Sequence, residues 1–226
     1  MYIQITTRCT MKCDHCCMRC EPGKGSDMDE STFIAACKLA AERGGHIFLG
    51  GGEPTLHPKL WQFVGLSLAY SDDIQPGLVT NGSVEEQAIR LANLARSGIF
   101  SVDLSVDSYH DLSLVSDKVF RAFGVDPNNP FSFDIQKTIR RNLERNDLRG
   151  VRNADEGIIN VGRALDNEIG VREDCACDDL FINPLGEIFA CGCQTEYFGT
   201  VFDPKIPEEY WRRDDYCSKY QDKEDK

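Results

Sequence analysis

The stretch Tyr2-Ile3-Gln4-Ile5-Thr6-Thr7-Arg8-Cys9-Thr10-Met11-Lys12-Cys13-Asp14-His15-Cys16 decides how this chain folds. Residues 2–6 read as a short β-strand, and directly behind it Cys9, Cys13 and Cys16 are spaced CxxxCxxC. Three thiols are too few for a closed tetrahedral site. They are the right number to hold three irons of a 4Fe–4S cube and leave the fourth open. Thiolates are soft ligands that select iron–sulfur clusters, and an open metal position is where chemistry can occur. The segment must be a loop, because three cysteines this close cannot reach three irons from one straight strand. The pattern points to a redox enzyme with its metal at the end of the first strand.

Outward from this loop the chain alternates strands and helices. A helix is expected over Asp29–Arg43, with Phe33, Cys37 and Ala40 on one stripe and Gly44-Gly45 as its stop. Cys37 thus reads as a core residue. His46–Leu49 forms a strand ending in Gly50-Gly51-Gly52-Glu53-Pro54, followed by a helix over Pro58–Tyr70 with Leu60, Phe63, Val64 and Leu68 inward. Gly77–Thr80 is a third strand, broken by Asn81-Gly82, and a helix over Val84–Arg96 carries Ala88, Leu91, Ala92 and Ala95 on one face. Ser101–Val106 alternates as a fourth strand running into Asp107. Beyond it come a short helix over Ser116–Phe123, a break at Asn128-Asn129-Pro130, a helix face at Ile135, Ile139 and Leu143, and two last strands at 150–152 and 157–161.

Strands alternating with helices imply a parallel sheet. The fold class expected is α/β: a partial (β/α)6 TIM-type barrel over residues 1–165. A small cysteine-rich β-hairpin module over 166–226 follows, with Leu180–Ile182 and Glu187–Phe189 flanking the turn Asn183-Pro184-Leu185-Gly186. In such barrels chemistry gathers at the C-terminal strand ends, where the cysteine loop, Gly51-Gly52-Glu53, Thr80-Asn81-Gly82 and Ser105-Asp107 all fall.

Composition narrows the function. Eleven cysteines in 226 residues exceed ordinary cytosolic use, and disulfides would explain them in a secreted protein. The number is odd and no secretory signal opens the chain, so metal binding is the stronger reading and the cytoplasm the expected location. No run approaches the ~20 apolar residues needed to span a bilayer. A net charge of −12 disfavours nucleic acid as a partner. The basic run Lys137, Arg140, Arg141, Arg145, Arg149 and Arg152 is either a solvated helix face or a site for an anionic group or an acidic partner.

Cys9-x3-Cys13-x2-Cys16 after the first strand, Gly51-Gly52-Glu53-Pro54 after the second, Thr80-Asn81-Gly82 after the third and Leu104-Ser105-Val106-Asp107 in the fourth resemble the radical S-adenosylmethionine (SAM) superfamily. The resemblance spans roughly residues 1–165, and Val161-Gly162-Arg163-Ala164 is similar to a late strand of that family. It implies that Cys9, Cys13 and Cys16 bind the catalytic 4Fe–4S cluster, whose open iron chelates the amino and carboxylate groups of SAM. Gly51, Gly52 and Glu53 would meet the SAM ammonium, since glycines permit close approach and a carboxylate pairs with an amine. His15 stands where the family often packs an aromatic near the adenine, or else fills the loop. Ser105 and Asp107 are candidates for the ribose and carboxylate region, or else cap the strand end. The implied reaction is reductive cleavage of SAM to methionine and a 5′-deoxyadenosyl radical that abstracts hydrogen from substrate, with an electron donor such as flavodoxin or ferredoxin.

Cys177-x8-Gly186-x4-Cys191, with Cys175 before it and Cys193 after, resembles the auxiliary-cluster module called Twitch or SPASM. Four of Cys175, Cys177, Cys191, Cys193 and Cys217 would then hold a second iron–sulfur cluster, in the shorter one-cluster form. A four-cysteine zinc ribbon is the alternative for the same hairpin. Cys17 and Cys20 extend the first motif, either as added ligands or redox groups or as packed thiols. The substrate class implied is a small molecule or a short peptide. The first strand begins at residue 2, which disfavours a peptide maturase with its own leader-recognition module. A glycyl-radical activase, which needs little beyond the barrel, and a non-catalytic electron carrier are the alternatives.

Overall fold

In a computed structural model of the chain, residues 1–43, 46–71, 75–132, 146–155, 157–170, 180–194 and 196–211 are described. Five strands alternate with helices: β1 (Tyr2–Thr6), α1 (Glu30–Glu42), β2 (Phe48–Gly51), α2 (Leu60–Tyr70), β3 (Gly77–Thr80), α3 (Glu85–Arg96), β4 (Ser101–Ser105), α4 (Asp117–Phe123) and β5 (Arg149–Arg152). A short helix, α5 (Arg163–Asp166), leads to four further strands, β6 (Phe181–Ile182), β7 (Glu187–Phe189), β8 (Tyr197–Thr200) and β9 (Asp203–Pro204), and then α6 (Glu208–Trp211). They form one sheet in the order β5-β4-β3-β2-β1-β6-β7-β8-β9. All pairs from β5 to β6 are parallel, and those from β6 to β9 are antiparallel. This is the parallel α/β core expected of a partial barrel.

The sequence reasons for these elements are local and apolar. Asp29 caps α1 by accepting from the Thr32 amide at 2.9 Å and the Thr32 hydroxyl at 2.8 Å. On the face that α1 turns inward, Phe33 lies flat against Phe63 of α2, with centroids 3.9 Å apart. Cys37 is fully buried on the same face, as expected. In α2 the inward positions are Leu60, Phe63, Val64 and Ser67, while Leu68 is half-buried. The helix turns Ser67 inward because its hydroxyl can bond the Val64 carbonyl at 2.9 Å.

The hairpin forms as the turn signature predicts. Asn183 Oδ1 accepts from the amides of Leu185 and Glu187, both at 3.0 Å, and Gly186 takes the left-handed φ of 78°. What the sequence did not reveal is where the hairpin attaches. β6 adds to the free edge of β1, in register Tyr2↔Phe181, so Tyr2 stacks between Phe48 of β2 and Phe181 of β6 at 6.1 and 5.7 Å. One aromatic row thus ties the cysteine-rich segment to the strand that leads into Cys9, Cys13 and Cys16.

Two expectations are corrected. Residues 157–161 hold no named strand among the described residues; Gly162 then breaks the chain into α5, and the sixth parallel strand is β6 on the opposite edge. Arg149 does not lie on a solvated helix face: it sits on β5, 6% exposed, with Nε and Nη2 on the Asp147 carboxylate at 2.9 and 2.6 Å. A β-strand puts alternate side chains inward, and the pair satisfies both charges there. Lys137, Arg140, Arg141, Arg145, the helix face at Ile135, Ile139 and Leu143, and Gly44-Gly45 lie outside the described residues.

The cap of α1 gives a direct test. Hydrogen bonds from Ser31 and Thr32 hold the Asp29 carboxyl at about 2. Asp29→Ala should cost ~1 kcal/mol in urea unfolding at neutral pH. A carboxyl with a depressed folded pKa stabilises above its unfolded value and loses that effect as pH falls through the folded one. The gap between wild type and variant should therefore close from roughly pH 4 downward to about 2.

Candidate functional site

The ends of β1 to β4 meet at one mouth. Cys9, Cys13 and Cys16 follow β1 as free, half-buried thiols. Cys13 is pushed up to about 12, first by burial and then by the charges of Cys9 and Cys16 beside it. Cys9 is likewise raised by burial, with Glu53 and Cys16 adding to it. Three neighbouring thiols on one loop disfavour one another's ionised forms, and holding all of them as thiolates calls for a cation among them. An iron–sulfur core meets that need, so the donor set fits a cluster. The Cys9 sulfur also accepts from the Met11 amide at 3.4 Å and from Asn81 Nδ2 at 3.8 Å.

Gly51-Gly52-Glu53 lies alongside this loop. The Gly52 amide donates to the Thr6 carbonyl at 2.9 Å and the Glu53 amide to the Arg8 carbonyl at 2.7 Å. A Cβ on Gly52 would come within 2.3 Å of the Arg8 oxygen, so only glycine lets the turn approach the loop this closely. The carboxylate of Glu53 is fully buried and already engaged. Its Oε1 accepts from the Thr55 amide (3.1 Å), the Thr55 hydroxyl (2.5 Å) and the Thr80 hydroxyl (2.8 Å), and its Oε2 from the Asn81 amide (2.7 Å). Burial pushes the Glu53 carboxyl above the usual carboxylate range, while these four donors pull it back down. Glu53 is thus a strut between the ends of β2 and β3.

Asn81 extends the strut. Besides its contact with Cys9, its Nδ2 donates to Thr10 Oγ1 at 3.1 Å, and its Oδ1 accepts from the Ser83 amide at 3.0 Å. Sequence reading placed Asn81 in a turn signal and gave it no role. The signal was there: an Asn at a strand end beside a metal loop can reach both the backbone and a thiol.

Beyond β4, Asp107 is 1% exposed and gathers the next loop. Its Oδ1 accepts from the amides of Tyr109 (3.0 Å) and His110 (3.1 Å) and bonds His110 Nδ1 at 2.7 Å, while Oδ2 lies 3.7 Å from His15 Nε2. Burial acts to raise the Asp107 carboxyl, but the bond from His110 and the two imidazoles outweigh it and leave it below the usual range. His15 is held below the usual imidazole value by burial. Its ring stands 5.1 Å from Tyr109 and 5.2 Å from His110. The structure therefore brings His15 and Asp107 together and adds His110, which sequence reading missed. Ser105 is half-buried at the end of β4.

The second cysteine group is described in part. Cys191 is buried and Cys193 half-buried in a turn closed by the Gln194 amide on the Cys191 carbonyl at 3.0 Å, directly behind β7. Cys175, Cys177 and Cys217 lie outside the described residues. Of the two added cysteines of the first loop, Cys20 is buried and Cys17 exposed. The Cys20 thiol faces Cys16, and its hydrogen bond holds Cys16 below the usual thiol range while Cys20 itself is raised.

A parallel α/β core with a three-thiol loop and a Gly-Gly-Glu turn at the strand ends defines a class of iron–sulfur enzyme. Residues 3–154 match the Radical SAM superfamily, and the chain belongs to it. Members of this superfamily use a 4Fe–4S cluster and S-adenosylmethionine, and the chain is an enzyme of that class. Among characterised relatives it is 28% identical over 124 residues to GTP 3′,8-cyclase of Helicobacter pylori, covering 53% of this chain and 36% of that protein. It is 30% identical over 116 residues to the tungsten-containing aldehyde ferredoxin oxidoreductase cofactor-modifying protein of Pyrococcus furiosus, covering 47% and 30%. The chain thus matches about a third of the length of these relatives. Among solved structures, BtrN in complex with AdoMet and 2-DOIA is similar over 94% of this chain and 81% of its own, with a TM-score of 0.61 and 18% identity. Native anSMEcpe with bound AdoMet and Kp18Cys peptide is similar over 91% and 78%, with a TM-score of 0.52 and 17% identity. These likenesses concern the fold.

The strut predicts a specific sensitivity. In Glu53→Gln the amide group must face either the Thr55 or the Asn81 backbone N–H, leaving one buried donor without an acceptor. The expected cost is ~1.5 kcal/mol, with Glu53→Ala costing about twice that, read as a shift in denaturant midpoint at unchanged slope. Equal stability of Glu53→Gln and wild type would show that the carboxylate is not the acceptor described.

Proposed function

We propose that this chain cleaves SAM reductively at a 4Fe–4S cluster held by Cys9, Cys13 and Cys16, and uses the radical to take hydrogen from a small organic molecule or a peptide. A second cluster on the C-terminal cysteines assists. The observation that carries this reading is the shared mouth: the three thiols, the Gly51–Glu53 turn, Asn81 and Asp107 stand at consecutive strand ends of one parallel sheet. In this reading the bound cluster supplies the electron that breaks the sulfur–carbon bond of SAM.

The chain's own residues position and exclude water. Gly51 and Gly52 offer backbone to the SAM ammonium, with Glu53 fixing their path from behind. His15 packs near the adenine, and Ser105 with Asp107 serves the ribose and carboxylate side. Residues 1–165 form the catalytic unit and 166–226 the auxiliary one, with four of Cys175, Cys177, Cys191, Cys193 and Cys217 as ligands.

A small-molecule or peptide substrate is supported by the solved relatives: BtrN was crystallised with AdoMet and 2-DOIA, and SuiB of Streptococcus suis with the precursor peptide SuiA. A small electron-transfer protein of the flavodoxin or ferredoxin kind completes the reaction. No helix among the described residues is long and apolar enough to cross a membrane, and we place the enzyme in the cytoplasm.

The test is anaerobic reconstitution with iron and sulfide, followed by dithionite and SAM. About eight irons per chain with release of 5′-deoxyadenosine is the expected result. Cys191→Ser with Cys193→Ser should then lose about four irons and keep deoxyadenosine formation. About four irons in the wild type, with deoxyadenosine, would assign the C-terminal cysteines to zinc or to structure. Full loading and reduction without deoxyadenosine would overturn the reading in favour of an electron carrier.

A further inference from the structure

The cysteine loop is also gripped from the segment that follows β5, to which no role has been given above. After β5 the chain returns across the mouth, and Gly162 turns it with φ 61° and ψ −131°. A Cβ there would lie 2.0 Å from the Cys17 carbonyl oxygen, so the turn and the loop are in backbone contact. The next residue, Arg163, is 9% exposed. Its amide donates to the Cys16 carbonyl at 2.9 Å, Nη1 to the Cys13 carbonyl at 2.8 Å and Nη2 to the Cys20 carbonyl at 2.8 Å. Two residues around it reinforce the contact: Asn167 Nδ2 donates to the Asp14 carbonyl at 3.0 Å, and Asp166 pairs with Arg19 at 3.0 Å.

One residue thus holds three carbonyls of a loop that has no regular structure of its own, two of them through its side chain. A guanidinium suits this because its planar fork fixes two acceptors at once, whereas an ammonium is a single point. Its charge is only loosely balanced: the carboxylate recorded against it, Glu21, stands 4.0 Å away, beyond hydrogen-bond reach. A buried cation satisfied mainly by neutral carbonyls keeps its field, and its Nη1 sits directly on the carbonyl of the ligand Cys13.

We propose that Arg163 is the positioning residue that keeps the cysteine loop in its cluster-binding shape and eases one-electron reduction of the bound cluster. This rests on the reading that Cys9, Cys13 and Cys16 hold the cluster. Reduction adds one negative charge, which a fixed cation nearby favours. Arg163 has two separable functions here, the fork and the charge. Arg163→Lys keeps the charge and loses the fork; Arg163→Gln loses the charge and most of the fork.

The experiment has one readout without the cluster and one with it. In the full chain before iron loading, amide hydrogen exchange over residues 13–20 should speed up about tenfold in both variants, with melting curves showing that each still folds. Asn167→Ala, which removes one neighbouring bond, should loosen residues 13–16 alone and leave the potential unmoved. After reconstitution, a potentiometric titration followed by electron paramagnetic resonance reads the one-electron couple. At a fixed potential the reduced-to-oxidised ratio of Arg163→Gln should fall about tenfold, a downward shift of ~59 mV, with Arg163→Lys close to wild type. Unchanged exchange in both Arg163 variants would overturn the clamp. An unchanged potential in Arg163→Gln would overturn the electrostatic role. Failure of wild type to take up a cluster would instead defeat the functional reading, while the exchange result still judges the clamp.

Discussion

The buried carboxylate of Glu53 is the constraint on which the mouth of this barrel depends. A carboxylate with no access to water is costly unless every lone pair is met, and Glu53 meets that demand with donors from two different strand ends. The consequence is geometric. The ends of β2 and β3 cannot move apart without stranding a charge, so the Gly51-Gly52 turn is held against Arg8 and Asn81 is aimed at Cys9. A residue that the sequence pattern presents as a ligand contact is, in the fold, the reason the neighbouring contacts exist.

The same principle, that a buried charge spends its bonding capacity on order, recurs on either side. Asp107 takes two amides and an imidazole on one oxygen and leaves the other toward His15. Arg163 takes carbonyls of the cysteine loop from the far side. The loop is therefore fixed by polar groups presented from three directions as well as by the apolar packing of Met11. That arrangement suits a segment that must carry three sulfurs at set positions, because directional bonds set orientation more sharply than apolar contact does.

Much of this was legible in the sequence, and the exceptions share a cause. The first four strands and their helices could be read because each has a local signal: alternation for β4, the apolar stripe of α3, the Asp29 cap of α1, Asn183 and Gly186 in the hairpin turn. The CxxxCxxC loop was legible as a candidate cluster site because its spacing is itself the chemistry. What escaped was long-range. Residues 157–161 carry strand-forming side chains yet form no continuous strand among the described residues, while the short Phe181–Ile182 pairs with β1 because Tyr2 offers an aromatic partner 179 positions away from Phe181 in sequence. Likewise His110 looks ordinary in sequence and Arg163 carried only a family likeness, and their roles come from which groups the fold brings to them.

The attachment of the hairpin to β1 has a consequence for how two metal sites could cooperate. β1 leads directly into Cys9, and β6, its new neighbour, leads through β7 into Cys191 and Cys193. Strands paired in one sheet are fixed to within a hydrogen-bond length along their shared edge, so the two cysteine groups are carried on a common rigid frame rather than on domains joined by a linker. The row Phe48–Tyr2–Phe181 fastens that frame on one face of the sheet. Where the hairpin cysteines hold a second cluster, as proposed above, the sheet fixes its separation from the first. The topology provides that constancy by extending the parallel sheet through β6 into the hairpin.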